Sequence, residues 1–194
     1  MRVFVVILFF FYSLNLFAEL PSGSTTISGD VSLTTDDQTL TIQQQSDQAI
    51  IEWNSFNIGE NNTVTFNQPS AAASALNRVI SGNPTTLAGV LNANGKVFVV
   101  NENGVYFTPT ATINAHSFAA STLALSNDDF LNNKLLFKLD DVDNIFSSIV
   151  HKGSITTLDG GFTALLGGAV DNEGTINANL GKIGIGAGKE ITLD

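Results

Sequence analysis

The 194-residue sequence has no cysteine. That excludes a disulfide framework and a thiolate nucleophile, and no cross-link obstructs passage of the chain through a pore. Positive charge is scarce, with 8 Lys and Arg against 18 Asp and Glu, a net charge of −10. Such a balance argues against nucleic acid and anionic lipid as partners. The two histidines, His116 and His151, stand apart and lack metal-ligand spacing. No Gly-x-Ser-x-Gly elbow is present. Gly184, Gly186, Gly188 and Lys189 look superficially like a phosphate loop, but Glu190 stands where Ser or Thr is needed. Coil corners account for those glycines better. A polysaccharide lyase or hydrolase needs paired carboxylates or a base over bound metal, and the scattered acids offer neither. The sequence therefore gives no catalytic residues, no cofactor site and no metal site, and reads as a non-enzyme.

Only one long apolar run exists. Residues 3–12 follow the single early charge, Arg2, and precede small Ala18. The run is shorter than the roughly 18 to 20 residues of a membrane-spanning helix. Residues 1–18 therefore read as a secretory signal peptide cleaved between Ala18 and Glu19. Cleavage leaves one domain, residues 19–194, with 7 basic against 18 acidic residues and a net charge near −11. That charge favours solubility in an unfolded, travelling chain.

What is present is short strands and turns. Residues 25–27, 31–33, 40–42 and 49–53 have strand character, punctuated by Gly23, Gly29, Asp36 and Asp37. Leu40 and Ile42 alternate with polar residues, giving one buried face. Trp53, Phe56 and Ile58 are assigned to the core. Residues 71–76 have helix-forming composition, confined by Pro69 and Pro84. Arg78, the only arginine beyond the leader, is expected in a surface or capping ion pair.

The tail repeats itself. Residues 153–167 align with 174–188 at an offset of 21, matching Gly153 to Gly174, Ile155 to Ile176, Phe162 to Ile183 and Gly167 to Gly188. Val170 and Ile191 continue that register. The tetrapeptide TINA at 112–115 recurs at 175–178, 63 residues on and three times the period. A period of this size in a strand-rich chain means a solenoid. The expectation is an all-β, right-handed parallel β-helix, with capping strands over residues 19–58. Residues 126–150 break the rhythm. Strands at 135–139 and 142–149 are expected to form an antiparallel hairpin outside the helix. Asp140, Asp141 and Asp143 lack the EF-hand pattern and read as a solvated turn.

The stretch that organises the chain is residues 95–122. Val97 and Val99 lie in an apolar strand that Asn101, Glu102, Asn103 and Gly104 interrupt and Val105, Tyr106 and Phe107 resume. The Asn-Gly pair makes a tight turn. Pro109 is expected to keep the second strand from pairing centrally.

Asn101, Asn103, Gly104 and Val105 resemble the Asn-Pro-Asn-Gly-Ile signature of the amino-terminal secretion domain of filamentous-haemagglutinin-like exoproteins. Glu102 departs from the family's proline. The surrounding order extends the resemblance: LPSG at 20–23, IIEWNSFNIG at 50–59, VTFNQP at 64–69 and LNRVISGNPTTLAGVLNANGKVFVVNENGVYF at 76–107. Within the family the chain resembles the high-molecular-weight adhesin subgroup.

The resemblance implies two-partner secretion in a Gram-negative bacterium. The chain would pass through the periplasm, bind a dedicated outer-membrane β-barrel transporter, cross amino end first and nucleate a β-helix outside. Leu40 and Ile42 mark a candidate transporter-contact strand. The alternative is a surface adhesin that binds a host surface or carbohydrate in its own right; a polysaccharide-degrading β-helix enzyme is a more distant one. The expected site residues are thus the turn and the strand, with no nucleic-acid partner.

Overall fold

The computed structural model describes residues 19–140 and 147–194. The expected leader, residues 1–18, lies outside the described residues. So do Asp141, Asp143 and most of the strand expected over 142–149.

Two antiparallel strands close the amino end. β1 (Thr25–Ser28) pairs with β4 (Gln48–Trp53), and β2 (Val31–Asp36) pairs with β3 (Thr39–Gln44). Residues 19–23 run beside residues 54–59; the Gly59 N–H donates to the Glu19 carbonyl at 2.8 Å. The antiparallel cap is narrower than expected, because β3 and β4 already form the first parallel coil. A second coil follows in β5 (Thr63–Asn67), β6 (Ser74–Val79) and β7 (Thr85–Leu87). A third follows in β8 (Val90–Ala93), β9 (Lys96–Val100) and β10 (Val105–Phe107).

The fourth coil begins with β11 (Thr112–Ala115) and β12 (Ser117–Ser121) and then leaves the solenoid. The excursion comprises β13 (Ala124–Leu125), α1 (Asn127–Leu131) and β14 (Leu135–Lys138). The chain returns in β15 (Ser148–His151) and continues through β16 (Ser154–Thr157), β17 (Phe162–Gly167) and β18 (Ala169–Asn172). Last come β19 (Thr175–Ala178), β20 (Lys182–Ala187) and β21 (Glu190–Leu193).

The six coils build three walls, with strand orders β1-β4-β6-β9-β12-β17-β20, β2-β3-β5-β8-β11-β16-β19 and β7-β10-β15-β18. The protein is a parallel β-helix. Its interior is stacked side chain on side chain: Leu40, Val64, Leu91, Ile113, Ile155 and Ile176 occupy one register position in successive coils. The first five are no more than 3% exposed. Coils stack about 4.8 Å apart, so each side chain touches its counterparts above and below.

A second core lies outside the helix. Ile50, Leu76, Phe98, Ala119 and Ala164 stack on the outer face of the first wall. The excursion covers them with Leu123, Leu125, Phe130 and Phe137. Phe98 meets Phe130 edge-on at 5.7 Å. Ser126 caps α1, its hydroxyl accepting from the Asp129 N–H at 3.1 Å. Arg78 pins the excursion, donating to the Leu125 carbonyl at 2.6 Å and Asn127 Oδ1 at 2.8 Å while pairing with Glu52 at 3.2 Å.

Several expectations are corrected. The helix or loop expected around 71–76 is a turn at 71–72 followed by β6, because β4 and β9 pair with both edges of that strand and bury Ala75 inward and Leu76 outward. Pairing on both sides overrides helix propensity there. β10 is central, between β7 and β15, and ends at Phe107 before Pro109 intervenes. The extra-helical hairpin is rearranged: β14 pairs antiparallel with β13 and β21, while residues 148–151 return to a parallel wall.

The 21-residue offset holds for Ile155 and Ile176 but drops to 20 in β17, where Phe162 faces Lys182 and Gly167 faces Ala187. The corner at 179–181 is one residue shorter than the corner at 158–161. Ile191 does not follow Val170, because β21 turns away to meet Phe137. The two TINA segments are two coils apart, not three; the excursion stretches one step to the 42 residues between Ile113 and Ile155.

Phe130→Ala is expected to cost about 3–5 kcal/mol, the usual range for an emptied aromatic site. Urea unfolding checks this. A loss below about 1 kcal/mol would show that the excursion merely rests on the wall.

Candidate functional site

Asn101 follows β9, where the chain turns from the first wall into the third. Its N–H donates to the Ser121 carbonyl at 2.9 Å, so the next coil already anchors the corner. Its side chain is fully buried. The amide nitrogen donates to the Asn83 carbonyl and to the Thr85 hydroxyl, both at 2.9 Å. The amide oxygen accepts from the Asn103 N–H at 2.9 Å and the Asn103 side-chain amide at 3.3 Å. Asn103 also donates to the Ser81 carbonyl at 2.9 Å.

Gly104 closes the turn. Its N–H donates to the Asn101 carbonyl at 3.1 Å, and its own carbonyl accepts from Thr85 at 3.0 Å. Its φ is +122°, a conformation that favours glycine. A Cβ there would meet Ser148 and Pro84 at ordinary contact distances of 3.4 and 3.5 Å. Backbone conformation, not space, therefore selects glycine. Val105 then enters the interior, paired with Thr85 on one side and Ile149 on the other. The turn closes with Glu102 in the place of the family's proline.

The arrangement is a knot of turns joining three coils. Asn101 and Asn103 each donate through the amide nitrogen to a backbone carbonyl of the corner at 81–85. Sequence reading found the Asn-Gly turn but missed its receiver. The signal was present in Ser81, Asn83, Pro84 and Thr85, a second turn-forming cluster about 20 residues earlier, close to one coil.

Leu40 and Ile42 lie elsewhere, in β3 of the first coil. They are 3% and 0% exposed. β2 and β5 occupy both edges of β3, so no backbone group of that strand is open to strand addition in the folded state. The structure thus separates the two expected sites, leaving the turn near the middle of the solenoid and the strand near its cap.

Other candidates resolve into packing. Trp53 is buried; its indole N–H donates to Asn77 Oδ1 at 3.0 Å and its ring meets Phe56 edge-on at 5.3 Å. Gly184 and Gly186 lie within β20 rather than at corners, and a Cβ on Gly186 would crowd Ile191 at 3.0 Å. His116 is half-buried beside the Ser117 hydroxyl at 3.2 Å. His151 is buried against Phe107, and burial holds its proton affinity below the usual imidazole value. Among the described residues, no three His, Asp or Glu side chains converge on a metal position.

A family model described as the TPS secretion domain matches residues 18–194. A heme/hemopexin-binding protein of Haemophilus influenzae, strain Rd, is 38% identical over 181 residues, covering 90% of this chain and 20% of its own length. A second Haemophilus influenzae heme/hemopexin-binding protein is 42% identical over 121 residues, covering 61% of this chain and 13% of its own. The chain thus spans a fifth or less of the length of these curated relatives. Among solved structures, the HMW1 secretion domain of Haemophilus influenzae superposes with a TM-score of 0.84. That match is 37% identical and covers 89% of this chain and 46% of the other.

Two substitutions separate the roles within the turn. Gly104→Val is expected to cost about 1–3 kcal/mol through backbone strain. Asn101→Ala is expected to cost a similar 1–3 kcal/mol by leaving buried partners unpaired. Denaturant unfolding of both variants measures this, and Asn103→Ala, at the rim, should cost less than Asn101→Ala. The reverse order would place the keystone at the wrong asparagine.

Proposed function

The chain belongs to the TPS secretion domain family, and on that premise we propose how this secretion module acts. Its unfolded form is recognised in the periplasm by the dedicated outer-membrane β-barrel transporter. Its folded form is the template on which a longer β-helix grows outside the cell. In this reading residues 1–18 are the signal peptide, residues 19–194 are the module, and the host bacterium is Gram-negative.

The observation that carries the reading is the unlikeness of the two ends. β1 and β2 seal the amino end, and the first interior side chains are already buried. The other end is unsealed. Ile183 and Ile185 are 51% and 50% exposed, although their register partners one coil earlier, Thr163 and Leu165, are buried. Those isoleucines face the position of a further coil. Relatives of which the matched segment is a fifth or less supply the material for such coils. Adhesin activity, or the heme and hemopexin binding named for the relatives, would then reside in the passenger that this module starts.

Recognition before folding follows from β3. Leu40 and Ile42 alternate along a strand whose outward residues are Thr39, Thr41 and Gln43. An extended segment of that kind suits strand addition, where main-chain bonds give affinity and pockets for alternate side chains give specificity. The same segment is sealed once β2 and β5 pair with it. Folding and recognition therefore compete.

A pull-down with the transporter's periplasmic region tests the competition. Protein diluted from denaturant should be captured, and folded protein should not. A Leu40→Asp, Ile42→Asp double variant diluted from denaturant should lose most of that capture. Equal capture of folded and unfolded protein, or no effect of the double substitution, would overturn this route.

A further inference from the structure

β15 sends two side chains into the solenoid, Ile149 and His151. An imidazole is an unusual occupant of an interior built mainly from aliphatic and aromatic groups, whose other polar members, such as Asn77, Thr85 and Thr157, carry no ionisable group. His151 is 0% exposed. Its ring meets Phe107 of the preceding coil edge-on at 5.2 Å. On the other side lies β18, whose Asn172 stands in register with it. The imidazole Nδ1 lies 2.6 Å from Asn172 Oδ1, and Nε2 has no hydrogen-bond partner.

The fit is close enough to dictate the next residue. A Cβ on Gly174 would fall 2.6 Å from His151 Cε1 and 2.7 Å from Nδ1. The corner at 173–174 thus folds directly over the ring. Charge around the site is turned elsewhere. Lys152 and Glu173, flanking the corner, pair with each other at 3.2 Å, and Asp171 and Tyr106 lie on the exposed faces of β18 and β10. β16, which continues from the corner after β15, carries no charged residue. No described acid faces Nε2 to compensate a proton there.

We propose that His151 is a proton-operated latch on the last two coils: the neutral ring lets β18 and the corner at Gly174 close over it, and a protonated ring holds them open. The neutral ring has one N–H, and Asn172 Oδ1 accepts it. A second proton on Nε2 would place an unpartnered cation inside the solenoid, which is expensive. β18 is the edge strand of its wall, and Asn172 is itself exposed. The join that must yield therefore lies at an open edge of that wall. The latch rests on the proposed role of the carboxyl-terminal coils as the growing end and adds a condition under which that end closes.

The sign is fixed by burial. Desolvation lowers the proton affinity of His151 in the folded chain, and the Asn172 bond offsets part of that. The unfolded chain, with an ordinary value of about 6.5, binds the proton more tightly. Stability from the latch is therefore complete above about pH 6.5 and is lost as pH falls through the folded-state midpoint.

The experiment follows the imidazole signals of the protein by NMR between pH 8 and pH 4.5, with His116→Gln leaving a single histidine signal. Thermal midpoints of wild type and His151→Phe are measured at pH 7.5 and pH 5. The latch requires a His151 midpoint below about 6.5. It also requires a fall in thermal midpoint on acidification at least about 2 °C larger in wild type than in His151→Phe. A folded-state midpoint at or above 6.5, or equal acid sensitivity in the two proteins, would overturn it. If His151→Phe does not fold, the titration in His116→Gln decides alone. Transporter capture of unfolded protein does not enter either readout, so a failed latch and a failed secretion route give different results.

Discussion

Everything in this molecule depends on one-dimensional stacking of interior side chains. Val64, Leu91, Ile113 and Ile155 are each buried because another coil lies on either side. Burying one such side chain is worth roughly 1.5–3 kcal/mol. A single coil cannot gain that alone, since most of its interior would face water. Stability therefore accrues coil by coil through nearest-neighbour contacts, and the first coil needs something other than a coil beneath it. β1 and β2 supply it by crossing the first coil antiparallel. Their direction also blunts the open sheet edge that would otherwise invite association with another chain.

The excursion shows what a stacked wall permits. The chain leaves the solenoid after β12 and rejoins it at β15 without disturbing the ladder, because β15 and β16 resume the register of β10 and β11. The outer face of the first wall had to become apolar to receive them. Leu76 and Phe98 face outward there, where the outward positions of β3 carry Thr and Gln. Arg78 stands beside them and joins wall to excursion through three acceptors. Its partner Glu52 offsets the charge that partial burial would otherwise make costly.

How much of this was legible in the sequence depends on the range of the interaction. The strands of the cap, the repeat at Ile155 and Ile176, and the Asn-Gly turn are local or periodic signals, and all appear where the residues placed them. The errors lie where pairing at a distance decides. Residues 71–76 carry helix-forming composition, yet two flanking strands draw residues 74–76 into β6. Ile191 fits the 21-residue register, yet Gly184 and Gly186 leave a bare surface that draws β21 outward onto β14. The one-residue contraction at 179–181 shifts β20 by a step that identity matching across glycines conceals. The knot at Asn101 was half legible: the turn could be read, but its buried partners at Asn83 and Thr85 could not, because contact between corners exists only after coils stack.

The same long-range character suits the chain to the proposed route. Its only helix among the described residues is five residues long, and its strands span two to six. Such elements have almost no stability by themselves. The first pairing of β4 with β6 spans 26 residues with no coil to build on, so initiation bears the full entropy of closing that loop. After that, each added coil closes a loop of only about 20 to 27 residues against a formed surface. The excursion step, at 42, costs little more because loop entropy grows only logarithmically. Initiation is slow and extension is fast. A chain that delays its first coil stays threadable, with no disulfide and a net charge of −10 opposing collapse onto other chains. Once the cap forms on the far side of a membrane, every further coil makes retreat through the pore costlier. On the proposed route, direction would come from the order in which coils become able to stack.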